Sequence, residues 1–386
     1  MAKIKVFKQN IDEELFIKSE KLRINNKTVQ TPIKSFDMTK LRKDTLISPS
    51  VKGVNEIFKE FKSNQLHELT NGKRNTEDIY KKLNTSFNKT SKDEINFCFI
   101  KLIDKTLPEE KGINIVTNIA YNKSDATPLP LLDSFFNPGS DAFKEYEKYT
   151  DFMQRCIDSI NRLNNKAILG IIPSKMPEIL IKDLIDFYHT NNITSFVFDF
   201  DGKTHSGLNG NLRELMISIL ELDILNESFT YSCNTQRGKT TRGTNVTKAN
   251  DILVYNYGFD IMGDNHTKTK FPPDVAKKLK ERSKDSNIRL FNTKDYGHYR
   301  HDTLEEAIEF YPFDETKIPL EYFQAKNKLQ KDQVQRLFNS ERIGLELLKY
   351  RKLIKENERT IKYLETKEQI TEDLGNFQNF RNDLNI

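Results

Sequence analysis

From residue 95 onward, short apolar runs alternate with amphipathic helical stretches, and this alternation restricts the chain to a parallel α/β architecture, sheet or barrel. The runs are INFCFIKLI (95–103), INIVTNIAY (113–121), KAILGIIP (166–173), ITSFVFDFDG (193–202), SFTYSCN (228–234) and FDIMGD (259–264). Between them lie helix-like stretches over 141–163, 177–192, 211–225 and 249–258. The runs are apolar across both faces, as strands covered by helices on either side require. Polar residues gather just after the runs, where such folds place their sites.

The flanks read differently. Residues 1–35 suggest short strands, KIKVF, LFIK, LRIN and TVQTPIKSF, with a turn at Asn25-Asn26-Lys27. Residues 51–90 are polar and helix-like. The stretch 320–375 is helical and charged, with Leu337, Ile343, Leu347, Leu348, Tyr350 and Ile354 in register, and GNFQNFRNDLNI (375–386) reads as a loosely held tail. The organisation expected is a body over 1–320 and a helical closing segment over 321–386.

At 386 residues the length suits one large barrel with a modest addition. A net charge of +5 permits nucleic-acid binding without indicating it, so any binding face must arise from local clustering. Cys98, Cys156 and Cys233 lie far apart with no C-x-x-C pair, which argues against a zinc site of the usual spacing and against a disulfide scaffold. No apolar run reaches membrane-spanning length and the N-terminus has no apolar leader, so the expected location is cytoplasmic, with no membrane partner.

Three segments carry candidate chemistry. VFDFDGKT (197–204) is similar to the DxDGT motif of haloacid dehalogenase phosphatases, in which Asp199 would be a nucleophile, Asp201 a general acid and magnesium the cofactor; Lys203 interrupts the motif. The plainer alternatives are strand-end acids at the solvent mouth, or substrate contacts. NYGFDIMGDNHTK (256–268) ends a strand with Asp260 and Asp264 beside His266, and a strand-end carboxylate can attack an anomeric carbon. Gly263 is read as room for a sugar beside that carboxylate. NTQRGKTTRGTNVTK (234–248) offers Arg237, Lys239, Arg242 and Lys248 to phosphates, without Walker spacing; the alternative is a solvated loop. KKLKERSKDSNIR (277–289) reads as a solvated helix face.

Several segments, in order, resemble the tRNA-guanine transglycosylase superfamily. KLRINNKTVQTPIKSF (21–36), with Thr31-Pro32, is similar to its opening hairpin, and KAILGIIPS (166–174) to its mid-chain strand. KANDILVYNYGFDIMGD (248–264) resembles the helix and strand bearing the nucleophilic Asp, IRLFNTKDYG (288–297) the turn that follows, and QRLFNSERIGLELLKYRKLIKEN (335–357) the closing helix. The resemblance implies a (β/α)8 TIM-like barrel with an N-terminal β-hairpin and a helical C-terminal segment. It implies exchange of guanine for a 7-deazaguanine, such as 7-cyano-7-deazaguanine, in DNA or tRNA. Asp264 is the expected nucleophile, Asp260 the second choice, Asp133 and Asp199 the purine readers with Asp201, Pro173 and Ser174 nearby, and His266 joins the nucleic-acid contacts.

The chain departs from that family in three places. The family's zinc ligands are missing, since 318–345 has neither Cys nor His, so no metal and no cofactor is expected. Pro173-Ser174 stands where the family has Gln-Gly, and no Asp-Ser-Gly-Gly motif is present. Similar departures occur in the divergent DNA-guanine transglycosylases. A homo- or hetero-oligomer, or a nucleic-acid-binding partner subunit that has lost catalysis, are the remaining alternatives.

Overall fold

The computed structural model describes residues 4–41, 47–163, 166–239, 244–267, 274, 288–309, 311–324, 328–356 and 359–385. The chain opens with β1 (Ile4–Ile11), β2 (Lys18–Ile24) and β3 (Lys27–Gln30), an antiparallel sheet of that order. Asn25 takes a positive φ of 58° in the β2–β3 turn, as the Asn-Asn turn signal anticipates. Alternation in β2 turns Leu22 and Ile24 inward and Lys21 and Arg23 outward.

Next come β4 (Ile33–Lys34), β5 (Phe36–Asp37), β6 (Val54–Phe61), α1 (Ser63–Thr70), α2 (Thr76–Phe87), β7 (Ile95–Leu102) and α3 (Glu110–Lys123). They are followed by β8 (Thr127–Pro128), β9 (Leu131–Leu132), α4 (Ala142–Asn161), β10 (Ile168–Pro173), α5 (Ile181–Thr190), β11 (Ser195–Asp199), α6 (Asn209–Glu221) and β12 (Thr230–Cys233). Then come β13 (Val246–Lys248), β14 (Ile261–Met262), β15 (Ile288–Asn292) and β16 (Gly297–His301). The fold is mixed α/β, with two parallel sheets ordered β4-β14-β12-β11-β10-β8 and β5-β6-β7-β9, and a small antiparallel sheet β13-β16-β15.

The core follows from the pattern of apolar residues. All five residues of β11, SFVFD, are buried, because helices cover one face and neighbouring strands' side chains the other. On α4 the residues Tyr149, Phe152, Met153, Cys156, Ile157 and Ile160 recur at helical spacing and are all buried. Asp141 starts that helix by accepting from the amides of Phe143 and Lys144. No helix among the described residues is long and apolar enough to cross a membrane.

Several expectations need correction. INIVTNIAY is not a strand but the body of α3, where Ile113, Val116, Ile119 and Ala120 form one buried stripe; a short apolar run does not separate strand from helix. The stretch 51–90 contains β6, a fully paired strand beside the two helices, whose Asn, Glu and Lys residues hide it. The helix expected over 249–258 is a 3-10 turn, Ile252–Asn256, and the strand FDIMGD shrinks to β14. Most of 277–289 lies outside the described residues.

The C-terminal segment comprises α7 (Leu304–Ile308), α8 (Lys328–Lys355), α9 (Thr360–Glu365) and α10 (Leu374–Asp383). α8 is pinned to β15, since Gln335 Oε1 accepts from the Arg289 amide at 2.6 Å and Asn339 Oδ1 from the Phe291 amide at 2.9 Å. The supposed loose tail is α10, which buries Phe377 and Phe380 against Tyr257 with ring centroids 5.6 and 4.7 Å away.

Candidate active site

Charged side chains converge where the parallel strands end. Met262 of β14 pairs with Lys34 of β4, and Asp264 follows two residues later. Lys34, buried to 2 %, places Nζ 2.5 Å from Asp264 Oδ1, which also accepts from Ser340 Oγ of α8 at 3.4 Å. Among the described residues, no group donates to the other carboxylate oxygen, Oδ2, and the side chain is 14 % exposed. Burial pushes the Asp264 carboxyl up, but Lys34, then His266 and Arg336, outweigh it and hold it below its ordinary value.

Beneath Asp264 sits Glu56 of β6, fully buried. Its Oε1 accepts from the Asp264 amide at 2.7 Å and contacts His266 Nε2 at 2.7 Å, while its Oε2 takes the Tyr231 hydroxyl. His266 Nδ1 lies 3.6 Å from Asp37 Oδ2, and the imidazole stacks on Phe58 at 4.3 Å and 8°. Burial pulls the His266 pKa down, but Glu56, Asp37 and Asp264 raise it overall. Gly263 does not leave room for a sugar. A Cβ there would meet Glu56 Oε2 at 2.6 Å and a Tyr231 ring carbon at 2.7 Å, so the glycine lets the acid pack beneath the strand.

A second cluster adjoins the first through Asn234, whose Oδ1 accepts from the His266 amide and whose Nδ2 donates to Asp199 Oδ1 at 2.8 Å. Lys101 of β7 reaches Asp133 at 3.0 Å and Asp201 at 3.2 Å, and Lys175 reaches Asp201 at 2.7 Å. Asp201 turns the chain with a φ of 47° and gives its amide to Asp199 Oδ1. Burial raises the Asp199 pKa against the pull of Lys101 and Asn234. Ser174 follows Pro173 at the end of β10; its amide reaches the Asp199 carbonyl, and its buried hydroxyl has no partner among the described residues.

The remaining candidates scatter. Asp260 stands at the opposite end of the strands, fully buried; its Oδ2 is 2.8 Å from Lys18 Nζ and accepts from the Thr230 amide and hydroxyl. Burial raises its pKa in spite of Lys18. His266 is likewise sealed at 6 % exposure rather than presented to a strand. Lys248 is committed to Asp373 at 2.8 Å, Lys239 is exposed, and Arg242 lies outside the described residues.

Sequence reasoning missed Lys34, Glu56, Lys101, Asn234 and Ser340. One signal was available for two of them: Lys34 in TPIKSF and Lys101 in FCFIKLI are lone cations inside apolar strands, affordable only with a buried counter-charge. Among the described residues no group of three His, Cys, Asp or Glu side chains is placed to hold a metal ion. No family model matches the chain, and no curated protein matches it.

Proposed function

We propose that the chain is a guanine transglycosylase that exchanges guanine for a 7-deazaguanine in DNA or tRNA. The observation that carries this reading is Asp264: an ionised carboxylate at a strand end, with Oδ1 held by Lys34 and Ser340 and no donor to Oδ2 among the described residues. A carboxylate pinned by one oxygen presents the other as a pre-aimed nucleophile. The site is supported by its frame. β4 and β5 are separated only by Ser35, and β8 and β9 only by Leu129 and Pro130. Read through these two breaks, the two parallel sheets have a strand order that a ring of eight would need, which supports a (β/α)8 barrel with its site at the C-terminal strand ends.

In the reaction, the target guanosine leaves its stack and its sugar meets Asp264. Oδ2 forms a bond to the anomeric carbon while the bond to guanine N9 breaks; the electron pair leaves with guanine, which takes up a proton. The 7-deazaguanine then enters, its N9 gives up its proton and displaces Oδ2, so the sugar keeps its configuration and no proton is consumed overall. Asp133, Asp199 and Asp201, arranged around Lys101, are the acceptors and relay for the purine's amino and ring N–H groups. Arg237 and Lys239 contact the strand.

Incubation with radiolabelled guanine and either tRNA or double-stranded DNA tests the reading. Label entering one polymer identifies activity and substrate together; label entering neither overturns it.

A further inference from the structure

Arg336 stands beside Asp264, and two arginines from distant parts of the chain adjoin it in turn: Arg237 feels the charge of Arg336, and Arg289 that of Arg237. Arg237 follows the end of β12, Arg289 lies on β15 and Arg336 on α8. Hydrogen bonds triangulate them. The amide of Gly238, next to Arg237, reaches the Lys248 carbonyl on β13 at 2.9 Å. Arg289 Nη1 reaches Thr247 on the same strand at 3.4 Å, and the Arg289 amide is held by Gln335, next to Arg336, at 2.6 Å. Arg336 Nη1 donates to the carbonyl of Asn265 at 3.2 Å, one residue beyond Asp264. The β15–β16 register adds Arg300 directly opposite Arg289.

Electrostatics show what this gathering costs. Burial, then the charges of Arg237 and Arg300, hold the Arg289 pKa down to about 10. Arg237 is also lowered, by burial and then by Arg336, although Asp251 opposes this. Asp251, the acid that acts on Arg237, shares its carboxylate with His298, whose Nε2 lies 3.1 Å from its Oδ1. The Arg336 acceptor is a neutral carbonyl. Two half-buried arginines and one exposed one, crowded this way with the exposed one beside Asp264, fit an anionic ligand better than an empty surface.

We propose that Arg237, Arg289 and Arg336 form a seat for a phosphate of a nucleic-acid strand, the one flanking the sugar that Asp264 attacks. The seat itself is independent of base exchange; its placement beside the attacked sugar rests on that reading. It differs from contact by the exposed loop alone, because two of the three arginines come from β15 and α8.

Two measurements on the full chain test this. Thermal unfolding in millimolar inorganic pyrophosphate, against sodium chloride of matched ionic strength, reads the seat alone. The wild type should gain several degrees, and Arg237→Gln and the surface variant Arg336→Ala should each lose most of that gain. Affinity for labelled 20-nucleotide single-stranded DNA and RNA across salt concentrations reads the strand. Each variant should weaken binding about tenfold and lower the salt slope by roughly 0.7, while Lys182→Ala, on the exposed face of α5, changes neither. A wild type that gains nothing from pyrophosphate, or variants that gain as much, overturns the seat. Loss of the pyrophosphate gain with unchanged strand affinity and salt slope overturns the assignment to a strand phosphate. If both readouts follow the arginines and labelled guanine never exchanges, the seat stands and base exchange falls.

Discussion

Lys34 Nζ lies 2.5 Å from Asp264 Oδ1, joining residues 230 positions apart at the pairing of β4 with β14. The ammonium fixes one carboxylate oxygen and keeps the group charged. Lys34→Met removes both effects. The Asp264 pKa is depressed in the folded protein, so activity that needs the carboxylate is lost only as pH falls below the ordinary carboxylate range. In Lys34→Met the acid limb of the exchange rate should move to higher pH, with a lower plateau. An unchanged acid limb would separate Lys34 from the ionisation of Asp264.

Asp264→Asn keeps the shape and removes the charge of the proposed nucleophile. Exchange should fall by at least about 10⁴-fold while strand binding persists. Wild type denatured after incubation with polymer should carry a covalent adduct, detectable by mass, that the variant lacks. If Asp260→Asn abolished exchange instead, the earlier acid would be the nucleophile, although Asp260 is sealed against Lys18.

The His266 pKa is raised by Glu56, Asp37 and Asp264 against burial. A raised pKa contributes stability that is fully present below the unfolded value, near 6.5, and is lost as pH rises through the folded value. His266→Gln should therefore lower the melting temperature most at pH 5.5 and progressively less towards pH 9. An equal deficit at both pH values would mean that only packing on Phe58 was lost.

The Lys18–Asp260 pair is buried on both sides. Lys18→Met alone leaves a buried carboxyl without its cation and should cost about 3–5 kcal/mol in urea unfolding. The double variant Lys18→Met/Asp260→Leu should recover much of that loss. Two independent, additive losses would show that the residues do not act as a pair.

Phe377→Ala should destabilise the chain by about 3–5 kcal/mol, because the ring is fully buried against Tyr257 and His205. Deleting residues 375–386 should be worse still. A truncated chain of unaltered stability would restore the loose-tail reading.

The parallel strands were legible because continuous apolar runs such as FVF and ILGII carry their own signal. The site was legible only in part. Asp264, Asp133, Asp199 and Asp201 were found because acids after a strand stand out. Glu56 was not, because its meaning lies in partners more than 170 residues away: Glu56 and Tyr231 are 175 apart, and Glu56 and His266 210 apart. A local pattern cannot report a pairing made only by strand order. The tail was misread for a related reason: Phe377 and Phe380 look isolated until Tyr257 is brought against them.

The β4–β14 seam has a consequence for how the molecule comes into being. Because Asp264 takes its charge partner from a strand made early and its hydroxyl donor, Ser340, from a helix made late, no nascent fragment holds this carboxylate with both partners in place. The carboxylate acquires its partners only as the final third of the chain docks. On unfolding, loosening at either end disarms it before the central strands separate, so inactivation should precede loss of most secondary structure.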